Sequence, residues 1–151
     1  MANERVYTSR RMAIANALAV AFKAINGSGS YRSNIYDNSS TKLKFWGETS
    51  DFPAVYVTPD VETREYHGGG YKNRFLNITV RAYVKKEDPL EELEALIEDI
   101  ETVIETNSKL VYTDRAGNAQ ATHQITMQSI ETDGGVLAPY GIAQISCQVQ
   151  Y

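Results

Sequence analysis

The sequence has few of the residue types on which most catalytic and metal sites depend. Its 151 residues include one cysteine, Cys147, and two histidines, His67 and His123. One cysteine excludes an internal disulfide and any metal site built from several cysteines, and it is consistent with a reducing compartment. Neither histidine has the spacing of a metal ligand, and there is no nucleophile elbow, phosphate loop or dinucleotide fingerprint. We therefore predict no catalytic residues, no cofactor and no metal, and favour a structural or interaction role over an enzyme.

Long apolar runs are also missing, so no membrane contact is predicted. The segment 9–24, SRRMAIANALAVAFKA, superficially resembles a twin-arginine secretion signal. Asn16 and Lys23 interrupt its apolar part, however, and its large residues keep helical spacing. We interpret it as the first helix of the folded protein.

The charge is distributed unevenly along the chain. The net charge is −4, which argues against nucleic acid as the main partner of the whole surface. Residues 1–50 carry seven Lys or Arg against Glu4, Asp37 and Glu48, whereas residues 87–105 contain nine acids and no base. Opposite faces of a monomer, or facing surfaces of neighbouring subunits, could use this asymmetry. An acidic face that is simply solvated explains it equally well.

An amphipathic helix is predicted over Pro89–Glu105. Its apolar side is formed by Leu90, Leu93, Leu96, Ile97, Ile100, Val103 and Ile104, and its acidic side by Glu91, Glu92, Glu94, Glu98, Asp99, Glu101 and Glu105. Asp88 stands where an N-cap belongs, and Pro89 suits the first helical position. The apolar side needs a sheet or another helix to cover it.

The first helix is predicted from a cap at Thr8 or Ser9 to about Ile25. One side carries large apolar residues. The other carries Ala13, Ala17 and Val20, a surface of small residues that either permits close approach of another element or merely raises helix propensity. From 26 to 51 the chain has no sustained period, so we predict a long irregular surface loop, with a short strand near Lys42–Trp46, partly ordered by a partner.

Alternating apolar and polar residues predict the strands of a sheet. A short strand should begin after Pro53, a clear half-buried strand spans 76–84, and the last strand spans 143–151. Between the first two lies a polar, aromatic-containing arm, residues 64–74. Weaker strands are predicted at 110–112 and 123–131, the latter with a bulge between Met127 and Ile130.

These elements predict one α+β domain over residues 1–151. Its sheet should be mostly antiparallel, with two main helices packed on one face. The predicted order is helix-strand-strand-helix-strand-strand.

Several segments in a fixed order carry a resemblance to a known family. They are DFPAV at 51–55 with Val57, Glu65-Tyr66, the strand 76–84, Asp88-Pro89 with ELE at 92–94, and the final strand to Tyr151. In this order they resemble the tail terminator proteins of long-tailed phages. The loop 26–51 is less alike, so its role does not follow from the resemblance.

The resemblance implies a structural virion protein that forms a homohexameric ring at the head-proximal end of a phage tail tube. Such a protein is made in the host cytoplasm, stops polymerisation of the tube protein and presents a surface to head-completion or connector proteins. DNA passes through the ring without sequence-specific binding. Two alternatives stay open. One is a head-tail joining or tail-tube protein. The other, from a different class, is a small cytosolic ligand-binding or enzymatic α+β domain, which a pocket containing His67 or His123 would favour.

Candidate contact residues follow from the arm, one turn and the charged segments. Candidates for contact with the tube or channel are Arg64, Glu65, Tyr66, His67, Tyr71, Lys72 and Arg74 in the arm, and Asp114, Arg115 and Asn118 in the turn. Candidates for contact between subunits are Arg10, Arg11, Ala13, Ala17, Val20, Lys42, Lys44, Glu94, Glu98 and Glu101.

Overall fold

The computed structural model describes residues 9–151 and begins with helix α1, Arg10–Phe22. The Ser9 side chain accepts a hydrogen bond from the backbone N–H of Met12 at 3.2 Å, which satisfies one of the free amides at the helix start. Ile14, Leu18 and Phe22 point into the core and are fully buried. The helix ends before the predicted Ile25, and the chain turns at residue 27.

The strands occupy the rest of the chain on both sides of helix α2. They are β1 (Ser39–Ser40), β2 (Ala54–Tyr66), β3 (Lys72–Lys85), β4 (Val111–Thr113), β5 (Ala119–Ala121), β6 (Gln124–Thr132) and β7 (Tyr140–Gln150), and α2 is Leu90–Thr106. The main sheet has the order β1-β2-β3-β7-β6, in which only the β1–β2 pair is parallel. β4 and β5 form a separate antiparallel pair.

The predicted order of elements is wrong. Among residues 9–151, three strands precede α2 and four follow it, three more than the predicted order counts. β1 and β5 carry only Ser, Ala and Gln and have no apolar alternation to reveal them, and the predicted order does not count β4, which lies at the weak strand predicted over 110–112. The strand predicted near Lys42–Trp46 is also wrong: the strand lies earlier, at β1, and a 3₁₀ turn occupies Trp46–Glu48.

Both helices lie on the same face of the main sheet and close one apolar core. The alternate residues Leu76, Ile78, Val80, Ala82 and Val84 of β3 face this core and are fully buried. Tyr83, between two of them, faces the other side and packs with Ala54 and Tyr56 in a small separate cluster. No helix among the described residues is long and apolar enough to cross a membrane.

Helix α2 differs from its prediction at three residues. Asp88 does not cap it: Pro89 is the residue before the helix, and no side chain bonds to the first amides. Leu90 lies on the surface, 59% exposed, because it begins the helix beyond the edge of the core. Asp99 is 2% exposed, although the helical periodicity places it on the acidic side of α2. It is buried because its carboxylate accepts the backbone N–H of Ser33 at 2.7 Å and that of Arg32 at 3.1 Å.

Two irregularities bend the sheet. The register of β2 against β3 shifts between Pro59 and Glu62, and that of β6 against β7 shifts between Met127 and Ser129. The second confirms the bulge predicted from the slipped alternation. The first lies just before the arm, where extra residues raise the local twist of a strand pair.

Candidate assembly surfaces

The arm, residues 64–74, is a two-stranded ribbon that continues the β2–β3 pair beyond the rest of the sheet. Arg64 pairs with Arg74, and Tyr66 pairs with Lys72. The neighbouring strand β7 pairs with β3 only from Phe75 onward, so within the described part of the chain no third strand pairs with the ribbon. A ribbon of two strands buries little on either face and is only marginally stable by itself.

The tip of the arm, residues 66–72, is held by backbone geometry. The N–H of His67 donates to the carbonyl oxygen of Tyr71 at 2.7 Å, and Gly69 has a φ of 79°, a conformation that side chains disfavour. Tyr66 and Tyr71 are 71% and 76% exposed, and the Lys72 ammonium lies 5.8 Å from the Tyr66 ring centre. The tip therefore presents two aromatic rings and a cation to the outside.

The base of the arm is fixed by Glu62, whose side chain is only 6% exposed. Its carboxylate lies 2.6 Å from Nε of Arg64 and 3.9 Å from Nε of Arg11, and it accepts a hydrogen bond from the hydroxyl of Tyr151. The Tyr151 ring lies between the guanidinium groups of Arg10 and Arg74, at 5.2 and 5.4 Å from its centre. This cluster ties helix α1, the root of the arm and the end of β7 together.

The same contacts shift the pKa values in this cluster. Burial alone would raise the pKa of Glu62, but the hydrogen bonds from Tyr151 and Arg64 and the charges of Arg64 and Arg11 outweigh it, so the pKa is lowered. Burial, and then the bond to the Glu62 carboxylate, raises the pKa of Tyr151 to about 12. Glu62 is thus held ionised and Tyr151 protonated, which keeps the hydrogen bond in place.

The second predicted tube contact, the turn 114–118, joins β4 to β5. Asp114 accepts the side chain of Gln120 at 3.0 Å and the backbone N–H groups of Asn118 at 2.9 Å and Ala116 at 3.0 Å, and these bonds lower its pKa. Arg115 lies in the same turn. The carboxylate therefore shapes the turn, and the predicted contact role of this turn stays a prediction.

The subunit candidates on α1 fall into two groups. Arg10 donates to the hydroxyl of Tyr112 at 2.8 Å, and Arg11 donates to the carbonyl oxygen of Asp60, so both bind within the chain. Ala13 and Ala17 are partly buried against the core, whereas Val20 is 63% exposed. Of Ala13, Ala17 and Val20, only Val20 has a largely exposed side chain.

The acidic residues predicted for subunit contact line one groove. Glu94, Glu98 and Glu101 are exposed on α2, and the groove runs between this helix and the edge strand β6. We call it the acidic groove; its lining is Arg32, Leu90, Glu91, Glu94, Ala95, Ile97, Glu98, Glu101 and Ile130. Arg32 is the basic residue of the set, 3.8 Å from Glu98.

The sequence analysis missed an exposed apolar patch in the long loop. Residues 42–48, here called the aromatic loop, lie over the sheet face that carries no helix, and their large side chains Leu43, Phe45 and Trp46 are 62%, 51% and 37% exposed. Lys42 and Lys44, both subunit candidates, lie one on each side of Leu43 in the sequence. Two aromatic residues beside two lysines are the only local sign of this patch in the sequence. The loop has no regular alternation of apolar and polar residues that would indicate which side chains face outward.

The two histidines and the cysteine, the residues most often used in catalysis and metal binding, lie in different parts of the structure. His67 is at the arm tip and His123 is exposed before β6. Cys147 is buried in the core as predicted, and burial raises its pKa to about 12. Among residues 9–151 no group of three or more His, Cys, Asp or Glu could hold a metal ion. A cleft between the start of α2 and residues 132–141 contains neither histidine.

A sheet with one covered core, a projecting ribbon and exposed charged and aromatic surfaces is typical of proteins that act by contact with other proteins. The comparisons agree with this class. The family model of the bacteriophage tail tube terminator protein matches residues 8–151. Tail tube terminator protein p142 of Escherichia phage T5 is 38% identical over 150 residues, covering 93% of this chain and 92% of that protein. The chain belongs to the tail tube terminator family.

Family membership confirms the resemblance noted in the sequence and the structural role that it implied. The protein is a component of the phage tail.

Proposed function

We propose that this protein caps the head-proximal end of a phage tail tube, stops polymerisation of the tube protein and presents a surface to head-completion or connector proteins. Membership in the tail tube terminator family is the observation that carries the proposal. The role is one of assembly without catalysis, and the proposal needs no cofactor.

The working form is a homohexameric ring through which DNA passes without sequence-specific binding. The distribution of charge supports a ring, because the acidic groove and the aromatic loop with its lysines are different surfaces of one chain. A contact between two different surfaces repeats from subunit to subunit and closes when the rotation fits.

The arm is the proposed contact with the tube or the channel. Its support is the pairing of the strands: between Phe75 and the tip, no third strand of residues 9–151 pairs with the ribbon, and the tip holds Tyr66 and Tyr71 in the open. Tyrosine supplies large contact area with little loss of side-chain freedom, which suits an interface. The turn 114–118 is the second proposed contact.

End-specific addition to tubes tests the proposal. Purified protein is mixed with polymerised tube protein and examined by negative-stain electron microscopy with a label on the added chain. We expect density at one end of each tube and an arrest of further growth from that end. Density along the tube would instead indicate a tail-tube protein. Binding to isolated heads but not to tubes would indicate a head-tail joining protein.

Solution mass and pocket chemistry separate the remaining alternative. A chain that stays monomeric both alone and with tubes, and that binds a small molecule, would favour the ligand-binding or enzymatic domain. Rings in the same images favour the terminator.

A further inference from the structure

The aromatic loop is exposed, yet it is firmly placed. The Tyr83 hydroxyl donates to the carbonyl oxygen of Lys44 at 3.0 Å, the guanidinium of Arg81 lies 5.7 Å from the ring centre of Phe45, and the ring of Trp46 is 5.2 Å from that of Tyr140. The hydroxyl of Thr49 also donates to the carbonyl oxygen of Phe45 at 3.1 Å. Large side chains are thus presented outward on a backbone that is already ordered.

Such a patch has the composition and rigidity of a protein contact. Aromatic anchors carry much of the energy of interfaces, and a surface ordered before binding loses little conformational freedom when it binds. The aromatic loop carries Lys42 and Lys44, one on each side of Leu43, against one acid, Glu48, so the complementary surface should combine apolar side chains with an excess of acids.

The acidic groove has those properties on the same chain. Its lining includes the apolar side chains of Ile130 and Leu90, 45% and 59% exposed. The same lining carries Glu91, Glu94, Glu98 and Glu101 from α2 and one base, Arg32. Exposed apolar side chains among four acids and one base fit a patch of apolar side chains that carries two lysines.

We propose that the aromatic loop of one subunit docks into the acidic groove of a second copy of this chain. The inference deepens the proposed ring by identifying the two surfaces that form its subunit contact, and it rests on that proposed function. Leu43, Phe45 and Trp46 contact Leu90 and Ile130 of the next copy, and the two lysines face the glutamates.

The two surfaces lie in different parts of the fold, so the contact is head-to-tail. The loop covers the sheet face opposite the helices, whereas the groove lies beside α2 on the helix-bearing face, next to edge strand β6. Each subunit then uses its loop toward one neighbour and its groove toward the other. Such a contact does not close as a pair, and it builds a ring when the rotation between neighbours closes.

Cross-linking between separate chains tests the docking. One chain carries Lys42→Cys and the other Glu94→Cys, and both residues are exposed. The chains are mixed with a short bis-maleimide, with and without tubes. Cys147 is buried and so reacts slowly. We expect a covalent 42–94 heterodimer in at least one of the two conditions. The control chain Lys109→Cys, exposed beyond the end of α2, should cross-link with the Lys42→Cys chain about tenfold more slowly or less.

A second variant tests the apolar part of the contact. Leu43→Asp on the loop chain should lower the rate of 42–94 cross-linking by about tenfold or more, because it places a charge against an apolar surface and beside acids. The matched control Val136→Asp, at a residue 83% exposed outside both surfaces, should leave the rate unchanged. Circular dichroism checks that each variant is folded.

The outcomes separate this inference from the proposed function. If the 42–94 pair reacts no faster than the control pair, or if Leu43→Asp has no effect, the docking is wrong, although end-capping of tubes can still hold. If the pair reacts as expected but the protein caps no tube end, the docking stands and the proposed function fails.

Discussion

The two halves of the β2–β3 hairpin have the same backbone pairing but opposite surroundings. In the half that begins at Ala54, the side chains of Val55, Val57 and Val80 are fully buried under the helices, and Tyr83 packs on the other face. In the arm, residues 64–74, Tyr66 and Tyr71 stand in the open, and Arg74 at its root packs against the ring of Tyr151.

This difference separates the part of the hairpin that makes the fold from the part that is free for contact. Burial of apolar side chains supplies most of the stabilisation of a domain. The first half shares that burial and the arm does not. The arm can therefore change with little effect on the fold, and its aromatic tip requires another explanation, for which we propose contact with the tube.

The largest effect is expected in the covered half. Ile78→Ala removes a fully buried side chain of β3 between the helices and the sheet. The lost burial and the cavity left behind should lower the free energy of unfolding by about 2–5 kcal/mol. Urea denaturation followed by circular dichroism measures this change. A loss below about 1 kcal/mol would show that the covered half is no more important to the fold than the arm.

A smaller effect is expected at the junction of the two halves. Glu62→Gln removes the charge that binds Arg64 and Arg11 and accepts the hydroxyl of Tyr151. Because that carboxylate is nearly buried, stability at pH 7 should fall by about 1–3 kcal/mol. The matched control Glu65→Gln, with a side chain 64% exposed in the arm, should change it little.

The pH dependence of this effect follows from the lowered pKa of Glu62. The folded state holds the proton more weakly than the unfolded state, so the carboxylate stabilises the fold above its ordinary pKa of 4.5, and the gain is lost as the pH falls through the lowered value. The difference in stability between the original protein and Glu62→Gln should shrink on acidification below that pH. A constant difference from pH 7 to pH 3 would contradict this assignment.

The smallest effect on stability is expected at the arm tip. Replacing Tyr66 and Tyr71 together by Ser should change the free energy of unfolding by less than about 0.5 kcal/mol, because both rings are exposed. The same change should sharply reduce capping of tubes, scored by electron microscopy. Tyr36→Ser, at a tyrosine 78% exposed outside the arm, is the matched control and should leave capping intact.

Periodicity made the large elements of this fold predictable. An element that is buried on one side has apolar residues at regular intervals, and the sequence shows these intervals directly. This is the case for the strands over 76–84 and 143–151 and for the apolar side of α2. The short strands Ser39–Ser40 and Ala119–Ala121 were not predicted, because they are held by pairing with neighbouring strands and have no apolar pattern. Asp99 was misplaced for a related reason: its backbone partners, Arg32 and Ser33, lie far away in the chain.

The candidate surfaces were predictable only where exposure follows from local pattern. The polar arm and Glu94, Glu98 and Glu101 are exposed as predicted. Arg10 and Arg11 were expected to be available, but α1 packs beside Tyr112 and Asp60, which engage them. The aromatic loop depends on Tyr83 and Tyr140, whose proximity is a property of the folded chain.

Deletion of Gly68–Gly70 at the arm tip tests most directly whether the arm serves contact and the covered half serves the fold. The deletion removes a 3₁₀ turn in which, among residues 9–151 and apart from chain neighbours, a Cβ added at Gly68 or Gly70 would meet nothing within 4 Å and one added at Gly69 would meet only the ring of Tyr71. The account predicts an unchanged circular dichroism spectrum, a melting temperature within about 2 °C of the original, and a loss of tail joining in a complementation assay. Normal infectious particles from the deletion variant would contradict it.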